Sequence, residues 1–147
     1  MNPKELSFDQ EGRDKLLNGI TTISRAVKST LGPLGKTVLI ESPNHRGGIT
    51  ITKDGVTVAK SITLEDPIEN MAATVIKQAA SKTVDQAGDG TTTSTVLAHS
   101  IASQALQATA YASTNATQVK RGIEAAVKEV VAELKAISVD ITDEAQI

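Results

Sequence analysis

The sequence predicts a mainly α protein, a helical bundle of long Ala-rich helices carrying one small β-hairpin. Three observations predict it. Apolar residues recur at steps of three and four along four long stretches, the period of a helix with one buried face. Two short strand-like runs, Val38-Leu39-Ile40 and Ile49-Thr50-Ile51, flank the turn-rich tip Ser42-Pro43-Asn44-His45-Arg46-Gly47-Gly48 and read as a hairpin over 37–52. The 147 residues include one Phe, one Tyr and no Trp, so the core must be built from Ala, Val, Ile and Leu.

Taken in order, Leu6-Ser7-Phe8 reads as a short edge strand. The first helix is expected over Glu11–Ser29, with Leu16, Ile20, Ile23 and Val27 as its apolar stripe and Arg13, Lys15, Arg25 and Lys28 off it. It stops at Thr30-Leu31-Gly32-Pro33, because Gly32 can take a left-handed cap and Pro33 cannot continue a helix. The hairpin that follows would be barely stable alone and needs a surface to pack on. Asp54-Gly55 reads as a turn. Asp66 caps the next helix, Pro67 takes its first position, and the helix runs to about Asp85. Its expected face is Ile68, Met71, Ala72, Val75, Ile76 and Ala79, and Gly88 ends the unit. A threonine-led helix carries Val96, Leu97, Ile101, Ala105 and Leu106, and Tyr111 to Thr114 is loop-like. Asn115 or Thr117 caps a last helix whose stripe is Val119, Ile123, Val127, Val130, Leu134 and Ile137. Thr142-Asp143-Glu144-Ala145 resembles a further capped helix start, which suggests a piece of something longer.

Composition narrows the function. A net charge of −2 gives no footprint for nucleic acid. Zero cysteines exclude disulfides and thiolate metal sites. No apolar run is long enough to span a membrane, and the N-terminus lacks a signal-peptide core, so a cytoplasmic protein is the default expectation. A core of small side chains buries little area per residue, so the chain is expected to be marginal by itself and completed by more chain or by neighbours.

The stretch with chemical content is Ala87-Gly88-Asp89-Gly90-Thr91-Thr92-Thr93-Ser94-Thr95. Gly88 and Gly90 let the backbone turn, and the threonines open a helix whose free N–H groups suit an anion. Asp89 would repel a phosphate unless a divalent cation lay between them, and oxygen-rich surroundings suit Mg²⁺. The stretch therefore reads either as a Mg²⁺–nucleotide phosphate loop or as an Asp-Gly turn with a threonine cap. Lys53 and Asp54 read either as part of a turn or as a phosphate-facing cation and a carboxylate near a reacting water. Gly35-Lys36-Thr37 is not a P-loop: Thr30 stands where the other glycine is needed, and the order runs from helix to strand. His45 and His99 lack companion ligands at useful spacing and read as ordinary polar residues.

Several motifs then occur together. Thr30-Leu31-Gly32-Pro33, Thr52-Lys53-Asp54-Gly55, Leu64-Glu65-Asp66, Glu69-Asn70-Met71, Gly88-Asp89-Gly90-Thr91-Thr92-Thr93 and Lys120-Arg121-Gly122-Ile123 stand in the order and spacing of group I chaperonins. The sequence resembles the N-terminal part of such a GroEL-like protein. The resemblance implies the first half of an equatorial, ATP-binding domain over 1–137 and the truncated start of an intermediate domain over 138–147. It implies that Thr30, Leu31, Gly32 and Pro33 lie against the phosphates and ribose of ATP, and that Lys53 sits near the phosphates and K⁺. Asp89 would hold Mg²⁺, Gly90, Thr91, Thr92 and Thr93 would wrap the phosphates, and Asp54 would help place the attacking water. The hairpin would pack on the neighbouring subunit of a homo-oligomeric ring. Unfolded protein clients and a lid co-chaperonin would bind parts outside these residues, and the main catalytic aspartate would lie there too, so this segment alone is expected to be a poor ATPase. Leu34, where relatives usually carry a basic residue, the tip Asn44 to Gly48, and Ala116 in place of proline depart from the pattern.

Two other readings compete. One is a short non-catalytic fragment or modifier that assembles with other chaperonin subunits. The other is a free-standing nucleotide enzyme such as a kinase, which needs an acceptor site and a base that the sequence does not display.

Overall fold

A computed structural model of the chain describes residues 5–41, 48–111 and 114–142. Among them lie five helices, α1 (Asp9–Lys28), α2 (Gly55–Ser61), α3 (Pro67–Ala87), α4 (Thr91–Tyr111) and α5 (Ala116–Ile137), and two strands, β1 (Val38–Glu41) and β2 (Ile49–Thr52). The chain divides into two compact units, Met1–Leu106 and Gln107–Ile147. The mainly α class with a small hairpin is the predicted one.

In the first unit the core is Ile23 and Val27 of α1, Val58 and Ala59 of α2, and Ala73 and Ile76 of α3, with Ile20, Val38, Ile40 and Ala98 packed against it. The close approach of α1 to α3 decides its composition. A Cβ on Gly19 would lie 2.2 Å from the Glu69 carbonyl oxygen, so the two backbones all but touch. Small residues must face such a crossing, and α3 buries Ile68, Ala72, Ala73, Ile76 and Ala80. Met71 and Val75, expected on that face, point outward at 58% and 59% exposure. Hydrophobicity alone marked the wider side chains; backbone proximity selected the alanines. Helix α4 differs likewise: Thr91 and Thr95 are buried, whereas Leu97 and Ile101 are exposed. The Thr95 hydroxyl donates to the Thr91 carbonyl at 2.8 Å, so its burial strands no polar group.

Two further expectations are corrected. Leu6-Ser7-Phe8 is not a strand. Phe8 is extended but leads straight into α1, and its carbonyl accepts the Gly12 N–H at 3.3 Å, so the segment joins no ladder. Asp54-Gly55 is not a free turn but the start of α2, with Asp54 as N-cap. Gly55-Val56-Thr57-Val58 has weak helix propensity, so only cap and packing make this short helix. The hairpin is antiparallel with Leu39 opposite Ile51 and Glu41 opposite Ile49. Val38 and Ile40 turn toward the core, and Leu39, Ile49 and Ile51 face outward. Residues 42–47 of the expected tip, including His45, lie outside the described residues, as do 112–113 of the expected loop and 143–147 of the expected last helix start.

In the second unit, Asn115 caps α5 by accepting the Thr117 N–H at 2.8 Å. The expected stripe of α5 is present, but Val127, Val130, Leu134 and Ile137 are exposed. Among the described residues, no helix is long and apolar enough to cross a membrane.

Asp66 caps α3 by accepting from the Ile68 and Glu69 N–H groups, and Lys15 of α1 pairs with it at 2.9 Å. The Lys15 hydrogen bond is the main cause holding the Asp66 carboxyl below its ordinary range, and the same bond raises the Lys15 ammonium. The Asp66 contribution is present above the ordinary aspartate range and is lost as pH falls through its folded value. The Lys15 contribution is present below the ordinary lysine range and is lost as pH rises through its folded value. The urea midpoint should therefore be flat between about pH 5 and 9 and fall on either side. In Lys15→Met the alkaline fall should shrink, while the backbone caps preserve part of the acid limb.

Candidate functional site

The end of α1, the start of α2 and the start of α4 come together at one place. Thr30 closes α1: its hydroxyl and its N–H both donate to the Val27 carbonyl, at 2.8 and 3.1 Å. Beyond it the chain curls back, with Gly35 N–H donating to Gly32 at 2.9 Å and Lys36 N–H to Ser29 at 2.7 Å. Gly32 is left-handed at φ 77°, as the sequence suggested. Gly35 has no room for a side chain, since a Cβ would sit 2.2 Å from the Thr30 carbonyl oxygen. Leu31, Gly32 and Pro33 are exposed on this curl.

The second segment begins at Thr52, whose hydroxyl accepts the Asp54 N–H at 2.9 Å. Asp54 then accepts from the Val56 N–H, the Thr57 N–H and the Thr57 hydroxyl at 3.3, 2.9 and 2.5 Å. The Thr57 hydroxyl is the main reason its carboxyl titrates below the ordinary range, with the two backbone donors and Lys60 adding to it. Asp54 is thus an anion whose observed work is to cap α2; such a carboxylate orients a water better than it takes a proton from one. Lys53, just before it, is exposed.

The third segment is the α3–α4 turn. Gly88 is the left-handed C-cap of α3 at φ 76°, its N–H donating to Val84, and Gly90 is left-handed at φ 85°. Both φ values need glycine, so the pair allows one helix to end and the next to start within three residues. Asp89 between them is exposed, and one of its oxygens accepts the Gly90 N–H at 2.6 Å. Ser94 N–H is the first to bond back, to Gly90 at 2.9 Å. The N–H groups of Thr91, Thr92 and Thr93 therefore have no backbone partner among the described residues.

Gly55 joins these segments. A Cβ there would lie 2.3 Å from the Thr92 hydroxyl oxygen and 3.3 Å from Val27 Cγ1. Gly55 follows Asp54 directly, Thr92 lies in the first turn of α4, and Val27 is the carbonyl partner of Thr30. The structure thus brings the Asp54-Gly55 start, the threonine helix start and the end of α1 into one neighbourhood. The approach of Gly55 to Thr92 was not readable from the sequence, because it is a tertiary contact between residues 37 positions apart. No group of three or more His, Cys, Asp or Glu that could hold a metal occurs among the described residues. Asp89 contributes a single carboxylate, which suits Mg²⁺, an ion that keeps waters and takes phosphate oxygens rather than a protein cage.

A helical unit with a short antiparallel hairpin and a glycine-flanked aspartate at a threonine helix start defines a class. The chain belongs to the TCP-1/cpn60 chaperonin family, whose model matches residues 23–147. Among solved structures it is similar to chaperonin gp146 from the bacteriophage EL 2 (Pseudomonas aeruginosa), crystallised in the presence of ATP-BeFx. In crystal form II the identity is 30% and the TM-score 0.75, covering 90% of this chain and 22% of that one. In crystal form I they are 30% and 0.74, covering 90% and 23%. The chain thus spans less than a quarter of the length of the chaperonin it matches.

Proposed function

We propose that the chain is a segment of an ATP-dependent chaperonin subunit and carries the Mg²⁺-ATP phosphate half-site. The observation that supports this most is the contact of Gly55 with Thr92, which sets the Lys53-Asp54 segment beside the unpaired N–H groups of α4. The family membership and the ATP-BeFx in the gp146 crystals agree with it. The N–H groups of Thr91, Thr92 and Thr93 bind the phosphate oxygens, aided by the α4 dipole. Gly90 lets the backbone come close, and Asp89, one oxygen of which takes the Gly90 N–H, would hold the metal. When bound, Mg²⁺ would neutralise charge on the phosphates. Lys53 would sit near the phosphates, with its ammonium as a point charge toward them, and near a K⁺ ion. Thr30, Leu31, Gly32 and Pro33 form the opposite wall against phosphate and ribose. Asp54, anionic and pinned by Thr57, orients the attacking water.

Residues 1–137 then form the first part of an equatorial domain, and 138–147 begin an intermediate domain. The subunit works in the cytoplasm in a homo-oligomeric ring, and the hairpin's outward face packs on the next copy. Clients and a lid co-chaperonin engage other parts of the subunit.

Titration of the chain with Mg²⁺-ATP, followed by backbone amide NMR, tests the site. Shifts should concentrate at Gly90 to Thr93, and Asp89→Ala should weaken binding at least about tenfold, because the metal loses its protein carboxylate. With EDTA present the two proteins should differ little. Equal Mg²⁺-ATP affinity of wild type and variant would remove the metal assignment, and shifts centred elsewhere would remove the site.

A further inference from the structure

A cation-lined hollow also lies on the first unit, and none of the residues of the Asp89 turn lines it. It is a cleft of about 330 Å³ between the last turns of α1 and the middle of α4, lined among others by Ser24, Arg25, Lys28, His99, Ser100 and Ser103. No carboxylate is among its lining residues. Neither Arg25 nor Lys28 is in an ion pair among the described residues. The His99 ring is held at one nitrogen, with Nε2 3.2 Å from the Thr21 hydroxyl, which leaves Nδ1 for another partner. The Ser103 Oγ is buried and has no hydrogen-bond partner among the described residues.

We infer that this cleft binds a phosphate-class oxyanion between Arg25 and Lys28 of α1 and His99, Ser100 and Ser103 of α4. Two cations with no counter-charge, two hydroxyls and an imidazole supply donors on both walls. An oxyanion is the ligand that satisfies donors without asking for acceptors. Arg25 and Lys28 also complement the C-terminal end of the α1 dipole. That accounts for cations on α1, but not for a buried, unpartnered hydroxyl on a residue that lines the same hollow from α4. A buried hydroxyl without a partner is unfavourable, and an oxyanion within reach removes that penalty. An apolar occupant would leave Ser103 and both cations unsatisfied. The volume sits at the lower end of ligand cavities, enough for a phosphate and its remaining waters.

The full chain, titrated with inorganic phosphate and observed by NMR against sodium chloride of matched ionic strength, tests this. Saturable shifts are expected at the Arg25 side-chain N–H, the His99 ring and the Ser103 amide. Arg25→Gln with Lys28→Gln should weaken binding at least about tenfold, and Ser103→Ala about fivefold. The serine variant removes one oxygen and guards against a failure of the double variant to fold. Glycerol phosphate in a parallel titration separates free from esterified phosphate: the tighter binder names the source. Shifts no larger than those in chloride, or full affinity in the folded double variant or in Ser103→Ala, would overturn the inference. Asp89→Ala should leave these shifts in place, which separates this cleft from the nucleotide loop.

Discussion

Gly19→Ala is expected to lower stability by about 2 kcal/mol, although alanine is the better helix former. The propensity term favours the variant by about 1 kcal/mol. Against it stands the geometry, for the new methyl would lie 2.2, 2.8 and 2.9 Å from the carbonyl oxygen, carbonyl carbon and Cα of Glu69. These are backbone atoms of a helix fixed by its Asp66 cap, so relief requires α1 and α3 to separate. That separation loosens Ile23, Val27, Ala73 and Ile76 together. Urea unfolding with an unchanged slope and a lower midpoint would report it, and Gly19→Val should fall further. A midpoint equal to or above that of the parent would show that the crossing is looser than described.

Gly35→Ala should act on the site more than on the fold. Its methyl would meet the Thr30 carbonyl oxygen at 2.2 Å and the Gly32 carbonyl oxygen at 2.9 Å. The turn must open, which breaks the Gly35–Gly32 and Lys36–Ser29 hydrogen bonds and moves Thr30 to Pro33. Since this curl is largely exposed, the stability loss should stay near 1 kcal/mol. Mg²⁺-ATP affinity should fall at least about tenfold, because positioning errors near 1 Å weaken oriented contacts that strongly. Calorimetry on parent and variant at equal fold content, checked by circular dichroism, separates the two effects. Unchanged affinity would take the Thr30–Pro33 wall out of the proposed site.

Much of the fold was legible because its signals are local. Asp66-Pro67 and Asn115 announced two helix starts, Gly88 an end, and the alternation around Val38 and Ile51 the hairpin. What escaped was set by tertiary approach. Helix α2 exists because Asp54 caps it and Val58 and Ala59 reach the core, not because its residues favour helix. Ala73 and Ala80 displaced Met71 and Val75 from the buried face because α1 passes so near. Of the candidate site, the Gly88–Thr93 turn was readable from two glycines and three threonines, since positive φ and free N–H groups are local properties. Its adjacency to Asp54-Gly55 was not, and no pattern in the sequence linked His99 with Thr21 or Ser103 with Arg25.

The alanine-lined seam between α1 and α3 also governs the thermal behaviour of the chain. Isoleucine is the largest apolar side chain fully enclosed there, so unfolding wets little hydrocarbon. A small heat-capacity increment follows, and with it a shallow dependence of folding free energy on temperature. Such a curve bends little and has no sharp optimum in the cold.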